Sequence, residues 1–267
     1  MEKESIRLGC HNFLNIRPIT YPLTEGLIEH PFKIIWDNKP AHIADMLDKG
    51  ALDIAIIPSI EYAKNSRLLI LPNLSISSIG MTRTVLLFSR KELKKIKTIA
   101  VDTGSRTSVA MLKILCLDRF GIDPRLVPTE PDMEGMLKEC DAGLIIGDNA
   151  FKVEKLKDSC LLLDLGAEWF IHTGRPFVHA LFVSKRDIEG ASLLLEDAKR
   201  IGLAKAENIA EVESKRLSID KKSCLEYLTK RISYNLGEKE IDGLRFFYQN
   251  AAKHGLITKV PEIRFAD

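Results

Sequence analysis

The chain has 267 residues, of which 45% are hydrophobic and 28% charged, so it can bury one large core or two modest ones. Its 39 Lys and Arg residues nearly balance 37 Asp and Glu residues, giving a formal net charge of +2. This balance argues against nucleic acid as a partner, and the apolar runs are too short to span a bilayer.

The N-terminal sequence and the cysteines indicate the cellular compartment. Residues 1–10 alternate charged and apolar residues and lack the apolar stretch of a secretion signal, which predicts a cytoplasmic protein. The five cysteines are widely separated and include no C-x-x-C pair. We therefore expect neither a disulfide framework nor a zinc site.

Short apolar runs alternate with helical patterns in the first two-thirds of the chain, which predicts an α/β fold with a largely parallel sheet. In chain order, the first predicted elements are a strand at 6–9, a helix at 18–26, a strand at 32–36, a helix at 40–49 and a strand at 53–57. Ser59 follows this last strand and could cap the next helix.

Two further apolar stretches, 84–89 and 180–184, read as strands that cross between two lobes, and each is followed by a basic pair. The segment between them contains a strand at 98–101, a helix at 108–120, a strand at 142–146 and a helix at 149–156. These patterns predict a discontinuous lobe 1, residues 1–89 and 180–267, and a lobe 2, residues 90–179. From residue 188 onward the pattern is mostly helical and ends with an amphipathic run at 239–254.

Ligands of open α/β sheets bind beyond the carboxyl ends of the strands, so the loops after the predicted strands are the candidate sites. The first such loop contains His11 and Asn15. His11 is either a site residue or a turn histidine bonded to the backbone. In the loop at 102–108, hydroxyls and helix N–H groups could bind a carboxylate, although Thr107 or Ser108 could instead cap the helix.

Two other segments carry candidate polar groups. Gly147 would allow a ligand close to the backbone or simply make a turn, and Asp148 would orient a hydroxyl or cap a helix. Trp169 and Arg175 read as part of a loop, where they would suit a small unsaturated acid or serve core packing and a surface ion pair. The sequence contains no P-loop, G-x-G-x-x-G, G-x-S-x-G or H-E-x-x-H motif, which argues against common hydrolase and nucleotide chemistry.

Several ordered motifs together resemble the MqnA family, the chorismate dehydratases of the futalosine route to menaquinone. They are FLNIRP (13–18), LDIAIIPSIEY (52–62), SISSIG (75–80), LLFSR (86–90), DTGSRTS (102–108), IIGDNA (145–150) and DLGAEWFIHTGRPFVHA (164–180). The resemblance implies a two-lobed fold of the type II periplasmic-binding-protein kind, with a ligand cleft between the lobes.

The resemblance also implies a carbon–oxygen lyase reaction, the loss of water from chorismate to give 3-[(1-carboxyvinyl)oxy]benzoate, without a metal or organic cofactor. Aromatisation drives the reaction. Catalysis then requires mainly that two carboxylates are held and that the departing hydroxyl is oriented. In the family's proposed route the enolpyruvyl carboxylate of the substrate is the base, which fits the lack of a convincing general base in this sequence.

By the FLN motif, Asn15 is the candidate catalytic residue, with a turn asparagine as the alternative. The resemblance suggests hydroxyl groups as ligands of the substrate: Ser59, Ser78, Ser105, Thr107 and Ser108. Two features depart from the family pattern, the basic link at 81–83 and His179, where the pattern implies an apolar or aromatic residue. The alternatives are the paralogous 1,4-dihydroxy-6-naphthoate synthase, which the 164–180 motif resembles less well, and a cytoplasmic binding protein for small carboxylates.

Overall fold

The computed structural model describes residues 5–65, 67–102, 104–153 and 160–267. The strands within these residues are β1 (Ile6–His11), β2 (Phe32–Asp37), β3 (Ile54–Pro58), β4 (Leu69–Ser78), β5 (Val85–Ser89), β6 (Thr98–Asp102), β7 (Arg125–Thr129), β8 (Ala142–Ile146), β9 (Leu161–Asp164) and β10 (Phe177–Ser184). Apolar β-branched residues dominate the central strands; all five residues of β3, for example, are buried.

Helices connect and cover these strands. They are α1 (Arg17–Thr24), α2 (Pro40–Asp48), α3 (Ser59–Tyr62), α4 (Arg106–Leu115), α5 (Met133–Glu139), α6 (Ala150–Val153), α7 (Leu165–Thr173), α8 (Ala191–Ala204), α9 (Ala206–Leu217), α10 (Lys221–Glu226) and α11 (Glu238–Lys253). Pro40 occupies the first turn of α2, where its missing N–H is not needed. The predicted helix at 149–156 lies partly outside the described residues.

The strands form two five-stranded sheets, ordered β2-β1-β3-β10-β4 and β7-β6-β8-β5-β9. In the first sheet β1 runs parallel to β2 and β3, and in the second β6 runs parallel to β7 and β8. However, β10 is antiparallel to both of its neighbours, as is β5. Both sheets are therefore mixed rather than largely parallel, because each incorporates one strand delivered by a crossing of the chain.

The strand pairing moves the predicted lobe boundary. The prediction assigned residues 84–89 to lobe 1, but β5 pairs with β8 and β9 of the second sheet. An apolar strand pattern shows that a strand is buried but not which sheet receives it. We therefore propose that the chain crosses between lobes at 79–84, before β5, and returns at 174–176, before β10.

Several elements were missed by the sequence analysis, including β4, β7, β9 and α5. The predicted loop around Trp169 is also wrong, because these residues form α7, which Asp164 caps by accepting a hydrogen bond from Ala167 N. Trp169 is fully buried and packs edge-on against Phe177 and Phe247. Core packing, rather than contact with a ligand, explains this tryptophan.

The largest apolar cluster joins the two lobes. It contains Ile57 of the first sheet, Leu87 and Leu144 of the second, and Trp169 between them, all with exposed fractions of 1% or less. Because this core is continuous, the two sheets hold a fixed relation close to the crossings. In the part of the chain that the structure describes, helices are all too short or too polar to cross a membrane.

Candidate functional site

A cavity lies between the lobes, where the carboxyl ends of β1 and β3 face those of β6 and β8. It encloses about 580 Å³, including the part that opens to solvent. Its lining residues are His11, Phe13, Asn15, Pro40, Pro58, Ile76, Thr84, Val85, Gly104, Ser105, Arg106, Thr107, Ser108, Ile146, Gly147, His179, Ala180 and Ile232. The predicted site residues Asn15, Ser105, Thr107 and Ser108 thus meet in one cavity, as expected for strand ends in a fold of this class.

Asn15 lies in a single turn of 3-10 helix, Leu14–Ile16, that follows β1. Its Oδ1 atom is shielded from solvent and has no hydrogen-bond partner within the described residues. A buried acceptor that stays unpaired costs roughly 1–3 kcal/mol. An Oδ1 atom in this state is well suited to accept a hydrogen bond from a molecule bound in the cavity.

Charged groups from both lobes fix the turn that carries Asn15. The Leu14 amide donates to Asp148 Oδ1 at 2.9 Å, and Arg216 Nη2 donates to the other carboxylate oxygen at 3.0 Å. Arg216 also pairs with Glu213, whose second oxygen lies 2.9 Å from Arg17 Nε. Burial raises the pKa of Asp148, although the hydrogen bonds from Leu14 and Arg216 oppose that rise.

The N-terminus of α4 forms the opposite wall. Ser105 precedes the helix but makes no side-chain capping bond, and its buried Oγ has no partner among the residues described. Thr107 Oγ1 accepts from Ile60 N at 3.1 Å, which leaves its hydroxyl hydrogen available as a donor. Neither Thr107 nor Ser108 caps the helix. These hydroxyls and the positive end of the helix dipole favour an anion here.

Arg106 is the only charged residue among the described lining residues, and its charge is already neutralised. The guanidinium donates to Asp45 and Glu61, at 2.9 Å in each case for Nη1. The hydrogen bond from Arg106 lowers the pKa of Asp45, and the same bond raises the pKa of Arg106. An anion in the cavity would therefore meet mainly neutral donors instead of a free cation.

Two histidines on the wall are neutral near pH 7. Burial, together with nearby Arg17, lowers the pKa of His11 to about 3, and its Nδ1 accepts weakly from Phe13 N at 3.4 Å. Burial lowers the pKa of His179 to about 4, and its Nε2 lies 2.9 Å from Ser78 Oγ. Both imidazoles are weak bases in this setting.

Three predicted ligands do not line the cavity. Ser59 is the first residue of α3 rather than its cap, and its Oγ donates to Val178 O at 2.7 Å, since its side chain turns toward β10. Ser78 instead contacts His179. Asp148 is bound to Leu14 and Arg216 and neither caps a helix nor reaches the wall. All three side chains bond to other protein groups and are not among the residues that line the cavity.

Other candidates from the sequence have structural roles. Arg175 pairs with Asp242 at 2.9 Å and lies over the ring of Phe246, which fits the surface ion pair weighed as the alternative. Gly147 adopts a positive φ of 62°, and a Cβ there would lie 3.1 Å from the ring of Phe13. The backbone at Gly147 thus makes room for an aromatic side chain of the cavity wall.

Sequence reasoning missed Thr84, which lines the cavity, and Tyr227, whose hydroxyl lies 3.0 Å from Thr84 Oγ1. A polar residue at the start of a crossing strand could have indicated Thr84. No signal identified Tyr227, because 143 residues separate it from Thr84. Within the described ranges no group of three or more His, Cys, Asp or Glu side chains is placed to hold a metal ion.

Comparisons with known proteins extend these observations. A family model described as menaquinone biosynthesis matches residues 6–253. Chorismate dehydratase from Thermus thermophilus is 30% identical over 260 residues, which cover 90% of this chain and 93% of that protein. Chorismate dehydratase from Campylobacter jejuni is 25% identical over 242 residues, which cover 90% of this chain and 94% of that protein.

The fold has counterparts among solved structures. The periplasmic aliphatic sulphonate binding protein SsuA from Escherichia coli superposes with a TM-score of 0.68 at 14% identity, covering 98% of this chain and 91% of that one. At this identity the likeness concerns the fold alone. The predicted fold class, an α/β two-lobed fold of the periplasmic-binding-protein kind, is confirmed.

Proposed function

The chain belongs to the menaquinone biosynthesis family, and on that premise we propose that it is a chorismate dehydratase. The reaction removes a proton and the hydroxyl group from adjacent ring carbons of chorismate and yields 3-[(1-carboxyvinyl)oxy]benzoate and water. It breaks one C–H and one C–O bond and forms the third double bond of a benzene ring. The enzyme is then a carbon–oxygen lyase.

One observation carries this proposal, namely that two proteins named chorismate dehydratase match nearly the whole chain. The family model matches residues 6–253, which include both sheets and every residue that lines the cavity. A binding protein of the same fold would share the lobes, but fold alone does not determine chemistry.

The cavity suits a dicarboxylate. The hydroxyls of Ser105, Thr107 and Ser108 and the N-terminus of α4 supply donors on one wall, and we propose that they hold one carboxylate of the substrate. Because Arg106 is already paired with two carboxylates, binding relies on these oriented neutral donors. Neutral donors held in place stabilise an anion without the desolvation of a second charge.

The wall also supports a substrate-assisted elimination. His11 and His179 are the only described lining side chains that could serve as neutral bases, and burial weakens both of them. A carboxylate of the substrate is therefore the more suitable base for the ring proton. We assign to Asn15 Oδ1 the orientation of the departing hydroxyl, because this atom is buried, lines the cavity and lacks a partner within the described chain.

Incubation of the purified protein with chorismate tests the proposal. We expect 3-[(1-carboxyvinyl)oxy]benzoate by mass spectrometry, and unchanged chorismate at high enzyme concentration would reject it. Binding of chorismate without turnover would favour the binding-protein alternative. A cytoplasmic location and the absence of any cofactor requirement stay predictions from the sequence.

Two variants test the role of Asn15. Asn15→Ala should lower kcat about 100- to 1,000-fold, the effect typical of one oriented polar group in a closed site. Asn12→Ala is the matched control, because Asn12 lies in the same loop but binds Arg17 at 2.8 Å and does not line the cavity. Full turnover by a folded Asn15→Ala variant would remove the role given to this residue.

A further inference from the structure

His179 lies at an irregular position of β10, on the wall of the cavity. Val178 pairs with Ser77 of β4. Ala180, two residues later in β10, pairs with Ile76, which is the direct neighbour of Ser77. Pairing with β3 on the other side starts only at Ala180. His179 is therefore the extra residue of a β-bulge, a feature that changes the direction of a side chain and is over-represented next to active sites.

Contacts of the backbone and of the ring hold the bulge in place. Ser59 Oγ donates to the carbonyl of Val178, the residue before the bulge, at 2.7 Å. The ring of His179 packs edge-on against Phe177, with ring centroids 4.9 Å apart. Phe177 is itself 1% exposed and packs against Trp169 at the same centroid distance of 4.9 Å. The fold therefore fixes the direction of the imidazole before a ligand binds.

One ring nitrogen of His179 is bonded within the protein and the other is not. Nε2 lies 2.9 Å from the hydroxyl oxygen of Ser78, which is 2% exposed. Nδ1 has no hydrogen-bond partner among the described residues, and the ring lines the cavity. Since burial lowers the pKa of His179 to about 4, the ring is neutral near pH 7 and carries one N–H group. The Ser78 hydroxyl can donate or accept, and its direction determines which nitrogen carries that hydrogen.

A carboxylate in the cavity selects one of these two arrangements. It only accepts hydrogen bonds, so a bond with His179 requires the hydrogen on Nδ1. The Ser78 hydroxyl then donates to Nε2, and within the described residues it has no other partner that would prevent this. The other described lining residues from β3, β4 and β10 have apolar side chains: Pro58, Ile76 and Ala180. His179 is therefore the side chain that can bind an anion on this part of the wall.

We propose that His179 is a substrate-binding residue, which donates a hydrogen bond from Nδ1 to a carboxylate of the substrate while Ser78 holds Nε2. The inference rests on the function proposed above, in which the substrate is a dicarboxylate. In that function α4 supplies neutral donors from lobe 2, and His179 adds a neutral donor from β10 of lobe 1. Both lobes then bind the same molecule. Ser78 is a positioning residue, because it acts through His179.

Two variants of His179 test the donor. His179→Phe keeps a planar ring without its nitrogens, whereas His179→Asn keeps an N–H donor attached to Cγ, as Nδ1 is. We expect His179→Phe to raise KM for chorismate about 10- to 150-fold, the effect of a hydrogen bond to a charged group. The change in kcat should be smaller, because the carboxylate is charged already in the bound substrate. His179→Asn should have a KM closer to wild type, and an unchanged KM in His179→Phe, or equal KM values in both variants, would overturn the proposal.

Ser78→Ala tests the positioning role, and Ser77→Ala is its matched control. Ser77 is a buried serine next in the chain, but its Oγ donates to Ser233 O at 3.4 Å and it does not line the cavity. We expect Ser78→Ala to raise KM about 2- to 10-fold, the effect of a neutral hydrogen bond, and Ser77→Ala to keep the wild-type KM. If Ser78 acts through His179, the Ser78→Ala, His179→Phe protein should have the KM of His179→Phe alone. Multiplying losses, or equal losses in both serine variants, would overturn the role of Ser78.

A measurement without turnover keeps this inference distinct from the proposed function. In ¹⁵N NMR spectra, the ring nitrogen signals of His179 are those missing from His179→Phe, and they show which nitrogen carries the hydrogen. The probe is isophthalate, an aromatic dicarboxylate that cannot lose water. We expect isophthalate to shift these signals, with the hydrogen on Nδ1. Signals that stay unshifted, or a hydrogen on Nε2, would overturn the inference even if chorismate is turned over. A wild-type protein that binds isophthalate through His179 but leaves chorismate unchanged would overturn the proposed function alone.

Discussion

Replacing Ser105 with alanine should weaken substrate binding without lowering the stability of the fold. The Ser105 hydroxyl is buried, with 3% of the residue exposed, and has neither a capping bond nor another partner among the described residues. Its removal leaves no other protein group of this part of the chain unpaired. We therefore expect the free energy of unfolding to change by less than about 1 kcal/mol, in either direction.

The loss of binding can be worked from the same bond. A hydrogen bond to a charged group contributes about 1.5–3 kcal/mol, and each 1.4 kcal/mol corresponds to about a factor of ten. If the Ser105 hydroxyl donates to a substrate carboxylate, Ser105→Ala should raise KM for chorismate about 10- to 150-fold. Its effect on kcat should be smaller, because a carboxylate keeps its charge through the reaction.

Ser59→Ala is the matched comparison, since Ser59 is also a buried serine close to the cavity. Its Oγ donates to Val178 O at 2.7 Å, so the alanine variant leaves a buried carbonyl of β10 without this donor. We expect Ser59→Ala to lower the free energy of unfolding by about 1–3 kcal/mol and to change KM less than Ser105→Ala does.

The assay combines urea unfolding, followed by circular dichroism, with initial rates over a range of chorismate concentrations. The reasoning predicts a crossed result, with stability lost in Ser59→Ala and affinity lost in Ser105→Ala. Loss of stability in Ser105→Ala with an unchanged KM would refute it, because the hydroxyl would then have a structural partner. Equal effects of both variants on KM would refute the distinction between Ser105, which lines the cavity, and Ser59, which bonds to β10 behind it.

Three further predictions follow from contacts of the site. Burial lowers the pKa of His179 to about 4, below the usual value of 6.5, so the unfolded chain takes up the proton first and stability falls as the pH drops from 6.5 toward 4. The variant His179→Phe should reduce this loss of stability by up to about 1.4 kcal/mol per pH unit, measured by urea unfolding. An unchanged dependence of stability on pH would contradict the prediction. Asp148→Ala removes the carboxylate that joins Leu14 N to Arg216, and we expect the free energy of unfolding to fall by about 2 kcal/mol, measured by the same method. The loss is no larger because Arg216 keeps Glu213 as a partner. A variant as stable as wild type would contradict this prediction. Gly147→Ala places a Cβ at a positive φ and 3.1 Å from the Phe13 ring, so thermal unfolding should show a loss of stability of about 1–2 kcal/mol, and KM should rise. Gly174→Ala is the control, because Gly174 has a φ of 66° but open space around it. This variant should lose stability without a change in KM.

The residues of the cavity show what kind of site residue can be found from sequence. Asn15 and Ser105 each follow a short apolar strand, and the parallel strands of each sheet bring such positions to one edge. Ser59 satisfies the same rule, yet its side chain turns to Val178. The position of a residue after a strand predicts its loop but not its rotamer, which depends on the neighbouring strand that offers a hydrogen-bond partner.

Asp148 illustrates a second limit. An aspartate after a strand suggests either a ligand or a helix cap, and both interpretations consider only neighbours in the chain. Its actual partners, Leu14 and Arg216, are 134 and 68 residues away. Once these donors occupy the carboxylate, it supports the Asn15 turn from the other lobe.

The sequence alone determined the local and periodic features of this protein. Alternating apolar runs and helical patterns gave the α/β class, and the ordered motifs gave the family, because burial of apolar residues and the local chemistry of strand ends leave a signature along the chain. The tertiary structure alone decided which sheet receives β5, and that Trp169 lies in the core while the Tyr227 hydroxyl contacts Thr84. These outcomes depend on partners that are far apart in the chain, up to 143 residues for Tyr227 and Thr84, and such contacts leave no period in a sequence because they form only when distant elements pack together.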